Sequence, residues 1–213
     1  MSKKFELTTE SIVHFGRTLF RIKALVAFGD VEAGELGGYI EKEDNLDQSG
    51  DAWVSGNARV YDNARVYGNA EVYGNARVYG DAEVYGNAEV YGNAWVYGDA
   101  RVSGNAEVYG NAEVYDNAWV YGNARVSGNA EVSKPTHLFQ LGCIGSRNGF
   151  TTFFRVKTKR IYVACGCFLG DIDEFEKKVT ETHAGTKHEK TYKLAIELAK
   201  TQIEDVELAE VAE

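Results

Sequence analysis

Two glycine-rich turns in the last third of the chain hold its densest set of reactive side chains. Gly145-Ser146-Arg147-Asn148-Gly149 offers a hydroxyl, a guanidinium, an amide and backbone donors, with Thr151 and Thr152 close behind. Cys165-Gly166-Cys167-Phe168-Leu169-Gly170 follows, and Asp171 then opens a helix. Glycine-rich strand ends that approach each other beside a helix N-terminus are the parts of a small anion or nucleotide pocket. The ligand-binding expectation therefore names Ser146, Arg147, Asn148, Thr151, Gly166 and Cys167. An ordinary hairpin turn with a solvated arginine uses the same residues, and both readings stand at this point. Residues 135–170 carry Arg147, Arg155, Lys157, Lys159 and Arg160 and no acidic residue, a local basic excess in a chain of net charge −9. The overall acidity argues against a general nucleic-acid surface.

Other chemistry is thinner. Cys143, Cys165 and Cys167 with His183 or His188 fit no compact zinc spacing, and an odd, clustered cysteine count reads as free thiols rather than a disulfide framework. A cysteine nucleophile needs a base that nothing in the sequence places beside it. No cofactor and no metal is expected. The N-terminus has no apolar leader, and no stretch nears the roughly 18 apolar residues of a membrane span, so the expected place is the cytosol, with no membrane partner.

What must position these groups is a repeat. From Asp51 to Ser133 the chain writes Asn-Ala-x-Val-Tyr-Gly over and over, with valine at every sixth position from Val54 to Val132 and no insertion. A short fixed period marks a solenoid, whose units bury their faces only by stacking. Alternation puts alanine and valine inside and x and tyrosine outside, while Gly or Asp followed by Asn or Asp makes a corner. Three corners close a triangular coil of about 18 residues that rises about 4.8 Å. The division is an N-terminal cap over 1–44, a helix of about five coils over 45–134, and a C-terminal domain over 135–213.

Stacking at this period fixes columns. Trp53, Trp95 and Trp119 fall on three different faces, which disfavours sugar or base stacking on one platform. Tyr61, Tyr79, Tyr97 and Tyr115 form one ladder, read as sheet packing or as the interface of a homo-oligomer, a trimer or dimer. Asn57, Asn75, Asn93, Asn111 and Asn129 form another, of structural character. Asp81 and Asp99 stack as well, but two carboxylates without further oxygen ligands make a poor calcium site. Outward positions are charged or aromatic rather than ranks of threonine, so ice binding is set aside.

Pro135, the single proline, stops the repeat. Beyond it, Leu138–Ile144, Phe150–Lys157 and Arg160–Cys165 read as three antiparallel strands. A capping box at Asp171-Ile172-Asp173-Glu174 starts a helix to about Thr182, and Tyr192, Ala195, Ile196, Ala199, Ile203 and Val206 keep the spacing of a second. Glu204–Glu213 reads as an acidic, frayed end.

The pattern Val-[Tyr/Ser]-[Gly/Asp]-[Asn/Asp]-Ala-x resembles the hexapeptide signature of left-handed parallel β-helices, and this resemblance alone supplies the hand. Val31 to Gly38, followed by Gly50-Asp51-Ala52-Trp53-Val54, looks like the opening of hexapeptide-repeat proteins of bacteriophages and prophages. Gly145-Ser146-Arg147 and Cys165-Gly166-Cys167-Phe168 look like their C-terminal domain. The wider superfamily consists largely of trimeric acyltransferases that use a histidine at a subunit boundary as general base. Here His14, His137, His183 and His188 all lie outside the regular coils, and no loop protrudes to wrap coenzyme A. The expectation is a mainly β protein: a left-handed parallel β-helix with an N-terminal β cap and a small α+β domain. Its expected role is non-enzymatic: a phage-type antagonist of host defence that captures an anionic or nucleotide signal, or blocks a host protein. The alternatives are a structural or virion assembly element and, behind it, a hexapeptide acyltransferase.

Overall fold

The computed structural model describes residues 3–207. Three strands open the chain, β1 (Phe5–His14), β2 (Arg17–Ala24) and β3 (Leu36–Ile40). Fourteen two-residue strands follow, one per hexad, from β4 (Trp53–Val54) to β17 (Glu131–Val132). They sort into three parallel sheets in which residue i faces i+18, as in Arg59↔Arg77, Glu71↔Glu89 and Glu83↔Arg101. The sheets are called here the Arg59, Trp53 and Arg65 faces after their first outward residues. The first coil is longer, with Tyr39↔Arg59 and Leu46↔Val66 set 20 residues apart, so Leu46 occupies a valine place ahead of the strict repeat. Through β3 the β1–β2 hairpin extends the Arg59 face as an antiparallel flap.

The interior is made of one kind of layer. Every alanine and valine of the hexads is at most 1% exposed, because alternation turns both inward and the β-branched valine fills a pleated surface well. Corners tighten until backbones almost touch. Gly86 adopts φ +75°, and a Cβ there would stand 3.0 Å from the Gly104 nitrogen one coil on. Asp62 and Asp116 take the same left-handed conformation at equivalent corners, as aspartate tolerates.

The hydrogen-bond ladder between coils has one direction. Each strand N–H donates to a carbonyl 17 residues further on, for example Arg59 to Ala76 (3.0 Å) and Arg77 to Ala94 (2.9 Å). The first coil is therefore left with carbonyls lacking donors and the last with N–H groups lacking acceptors. Side chains answer both needs. At the start, the buried Lys4 Nζ donates to the Gly50 and Ala52 carbonyls (3.2 and 2.9 Å), and Asn45 Nδ2 donates to those of Asp62 and Ala64 (3.1 and 2.9 Å). At the end, Thr152 Oγ1 accepts from the Arg125 N–H (3.1 Å) and His137 Nδ1 from that of Ser133 (3.3 Å). With its amide turned to suit its neighbours, Gln140 accepts from the Asn123 N–H (3.2 Å) and donates to the Tyr121 carbonyl (3.1 Å).

The C-terminal domain is the plug that carries these acceptors. The three expected strands are present as β18 (Leu138–Ile144), β19 (Gly149–Arg155) and β20 (Ile161–Cys165), and a fourth, β21 (Phe168–Asp171), joins them in one antiparallel sheet of sequential order. Gly166, at φ +57°, closes a two-residue hairpin in which Cys165 pairs with Phe168, so the segment expected as a loop runs straight back along β20. Alternation decides the layers. Phe154 and Ala164 face the valine core of the last coil, while Phe153 and Val163 face helices α1 (Ile172–His183) and α2 (Lys187–Gln202). Ile203 and Val206 pack beyond the end of α2.

Replacing Gly86 with alanine forces a side chain into left-handed backbone against Gly104, and the expected loss is about 1–2 kcal/mol or somewhat more. Urea unfolding measures it; a midpoint equal to wild type would show that the coils can spread at no cost.

Candidate functional site

The fold brings both glycine-rich turns to one end of the C-terminal sheet, since Ile144 pairs with Gly149, Thr151 with Cys165 and Cys165 with Phe168. Ser146, Arg147 and Asn148 stand exposed on the first turn, which the Asn148 N–H closes onto the Gly145 carbonyl (3.3 Å). Among the described residues no carboxylate pairs with Arg147. Beneath it Gly145 is buried against the Tyr192 hydroxyl, so closely that a Cβ would lie 1.9 Å from that oxygen.

The other expected ligand residues are drawn elsewhere. Thr151 is fully buried, and its hydroxyl donates to Cys165 Sγ (3.2 Å), which in turn lies 3.6 Å from the Tyr192 hydroxyl. Burial, then the Cys165 contact, raises the Tyr192 pKa, so the phenol stays neutral. The Gly166 carbonyl accepts from Arg125 Nη1 (3.0 Å) and ties its turn to the last coil, while Cys167 is exposed. The N-terminus of α1, expected as an anion seat, is filled from within: Asp171 accepts from the Asp173 N–H (2.9 Å), and Arg160 pairs with Asp171 and Asp173 (2.9 and 3.0 Å). What remains together is Ser146, Arg147 and Asn148 on a projecting tip.

The outward columns lie where the period places them, with Trp53, Trp95 and Trp119 on three faces. Tyr61, Tyr79, Tyr97 and Tyr115 stack with ring centroids 4.9–5.0 Å apart. Tyr61 is sealed under the flap, with Leu19 and the His14 ring (5.5 Å) over it, and burial pushes its pKa up to about 12. Tyr79, Tyr97 and Tyr115 stay half-buried. Columns are also cross-linked along the prism: the Tyr73, Tyr91 and Tyr115 hydroxyls donate to Glu89, Glu107 and Glu131 (2.8, 3.3 and 3.2 Å). Asn57, Asn75, Asn93 and Asn111 form an amide chain, Asn69, Asn87, Asn105 and Asn123 a second, and Asn63 donates to Asp81 (3.0 Å).

One cluster escaped sequence reasoning. The His137 ring, 2% exposed, has its Nε2 3.1 Å from Asp205 Oδ2, which also meets Lys134 Nζ (2.7 Å). Arg155 bonds the Asp205 carbonyl through Nε (3.0 Å) and Glu131 through Nη1 (2.6 Å). Asp205 lies in the stretch read as frayed, yet the chain is tied down there: the Glu207 N–H donates to the Lys159 carbonyl (2.7 Å). Positions 208–213 of that stretch fall outside the described residues. The Lys134 and His137 contacts pull the Asp205 pKa down to about 2. Burial, opposed by the Asp205 bond, lowers that of His137.

Clefts among the described residues lie apart from the turns. One of about 520 Å³ opens at the start of the Arg65 face, beside Lys42, Asp44, Asp47 and Arg65. Another of about 470 Å³ runs along Asp30, Trp53, Glu71 and Glu89. Among the described residues no three His, Cys, Asp or Glu side chains are placed to share a metal ion, and no helix is long and apolar enough to cross a membrane.

Three parallel sheets wound with an 18-residue register define a β-solenoid. The chain is similar to a family described as the YdcK beta solenoid repeat, whose model matches residues 52–68, 58–72, 70–86, 82–98 and 118–133. Between the last two matches, residues 99–117 keep the same register. No curated protein matches the chain.

The terminal cluster makes a pH dependence. His137 and His14 both have pKa values below the ordinary 6.5, through burial first, so each binds a proton more readily in the unfolded chain. Their contribution is whole above about pH 6.5 and is lost as pH falls through that value. The depressed Asp205 adds a further loss between about pH 4 and about pH 2. Melting temperature is expected to drop between about pH 7.5 and about pH 5, with a shallower drop for His137→Gln; parallel curves for the two proteins would remove His137 from the account.

Proposed function

We propose that this is a binding protein without catalysis, in which the solenoid is a rigid stalk and the C-terminal domain presents the Arg147 turn to an anionic ligand of the nucleotide class. The observation that carries this is Arg147 itself, exposed without a carboxylate partner among the described residues, on a turn whose Gly145 packs against the Tyr192 hydroxyl. A guanidinium fork suits a phosphate bidentately. In the phage setting implied by the resemblance, the ligand is a host defence signal and capture in the host cytosol removes it.

A second reading rests on a different observation: Tyr79, Tyr97 and Tyr115 are half-exposed in an unbroken column, a flat aromatic strip of the kind that interfaces bury. On that reading the prism is an oligomerisation or assembly element.

A melting panel with cyclic and linear nucleotides is expected to give a stabilising shift with at least one ligand, lost in Arg147→Ala; no shift with any of them sinks the capture reading. Light scattering tests assembly: a mass above one chain that falls to one chain in Tyr97→Glu supports it, and a monomer at every concentration removes it.

A further inference from the structure

Of the ten arginines, six have a carboxylate within ion-pair distance: Arg17, Arg21, Arg101, Arg125, Arg155 and Arg160. Arg59, Arg65, Arg77 and Arg147 have none among the described residues, and of these Arg59 and Arg77 are stacked on each other as partners in adjacent rungs. On each of the other two faces the period also sets an arginine on a glutamate. On the Arg65 face Arg101 stacks on and pairs with Glu83, and on the Trp53 face Arg125 does so with Glu107. On the Arg59 face two cations follow one another instead, and the flap laid over them contributes a histidine rather than a carboxylate.

The geometry deepens the imbalance. Arg59 Nη1 lies 3.3 Å from His14 Nδ1, a contact that requires that nitrogen to be the acceptor and therefore leaves the ring neutral with its proton on Nε2. His14 Nε2, Arg59 Nε and Arg77 Nε are all buried donors without a partner among the described residues. The carboxylates at the neighbouring corner, Glu41 and Asp62, are both held by Arg17. The Arg77 guanidinium lies over the Trp95 ring, 4.7 Å from its centroid, which fixes its plane. Two planar guanidinium groups one rung apart, backed by an aromatic ring and denied a counter-charge, match the charge and the spread oxygens of a dianion.

We propose that Arg59 and Arg77 form a binding site for a phosphate-class oxyanion on the Arg59 face, beneath the tip of the β1–β2 flap. Trp95 acts as the positioning residue for Arg77. The site is separate from the Arg147 turn, at the other end of the prism, and stands or falls independently of it.

Titration calorimetry of the full chain with inorganic phosphate, against chloride at equal ionic strength, tests this. Saturable binding is expected, weakened at least tenfold in Arg59→Gln and in Arg77→Gln and unchanged in Arg147→Ala. Arg77→Lys keeps the charge but loses the fork, and is expected to bind more weakly than wild type. The melting temperatures of the two glutamine variants without phosphate are expected to stay close to that of wild type, since each relieves a like-charge contact while losing the Trp95 or His14 contact, and this separates lost binding from lost folding. No saturable heat with phosphate, or equal affinity in wild type and both glutamine variants, overturns the site.

Discussion

The directionality of the inter-coil hydrogen-bond ladder is the constraint on which the rest depends. Because every rung donates toward the C-terminus, the two ends of the prism are chemically opposite, and a cap suited to one cannot serve the other. The start needs donors and receives the Lys4 ammonium and the Asn45 amide. The finish needs acceptors and receives the Thr152 hydroxyl, the Gln140 amide oxygen and a histidine nitrogen held neutral. Lys4 shows what burial at such an end does: desolvation brings its pKa down to about 8, yet three carbonyls lie within 3.5 Å and keep the ammonium in place. An open ladder end is an unprotected sheet edge, so these contacts also stop one prism from extending into another.

The same period that builds the core forces like onto like outside it. For tyrosine and asparagine that is favourable, since rings stack at the rung spacing and amides chain through one donor and one acceptor each. For ionised groups it is not. Glu71 sits over Glu89, and its pKa is raised by burial first and then by Glu89 and Asp30. The chain relieves such columns by diagonal bonds from tyrosine hydroxyls, by alternating sign as at Glu83 and Arg101, or by reaching in from the C-terminal domain, as Lys157 does to Glu113 (2.6 Å). A stacked pair that receives none of these stands out against that background.

The prism was legible because its period is unbroken: Val54 to Val132 fixes the faces, the columns and the coil length, and the paired registers agree residue by residue. The 20-residue first coil was not legible, since Leu46 lacks the flanking alanine and glycine that mark a rung. β21 was hidden for a local reason, as Gly166 reads as loop while its backbone makes a two-residue turn. The caps were hidden for a deeper one. Nothing in the neighbourhood of Lys4, Gln140 or Asp205 hints at partners 48, 17 and 68 residues away, respectively. Of the candidate site, the exposure of Arg147 followed from its turn, whereas Thr151 was miscast because alternation, correctly counted from Phe153, turns it toward the helices and Tyr192.

These facts bear on where binding can reside. Polar side chains at both ends of the solenoid are occupied in closing the ladder, and most charged side chains on its faces are occupied in neutralising their columns. Thr152, Gln140, His137 and Arg125 each look like ligand residues in isolation, and each is engaged by backbone or by a neighbour. A ligand must then be met by groups that neither task consumes. Arg147 escapes because it stands exposed on its turn, and Arg59 with Arg77 escapes because the flap meets them with His14 while its Glu10 is held by Arg21. In a scaffold this regular, unmet charge is more informative than cavity volume: the clefts lie where the N-terminal cap meets the first coils, while an unneutralised arginine column is a departure that the repeat itself does not require.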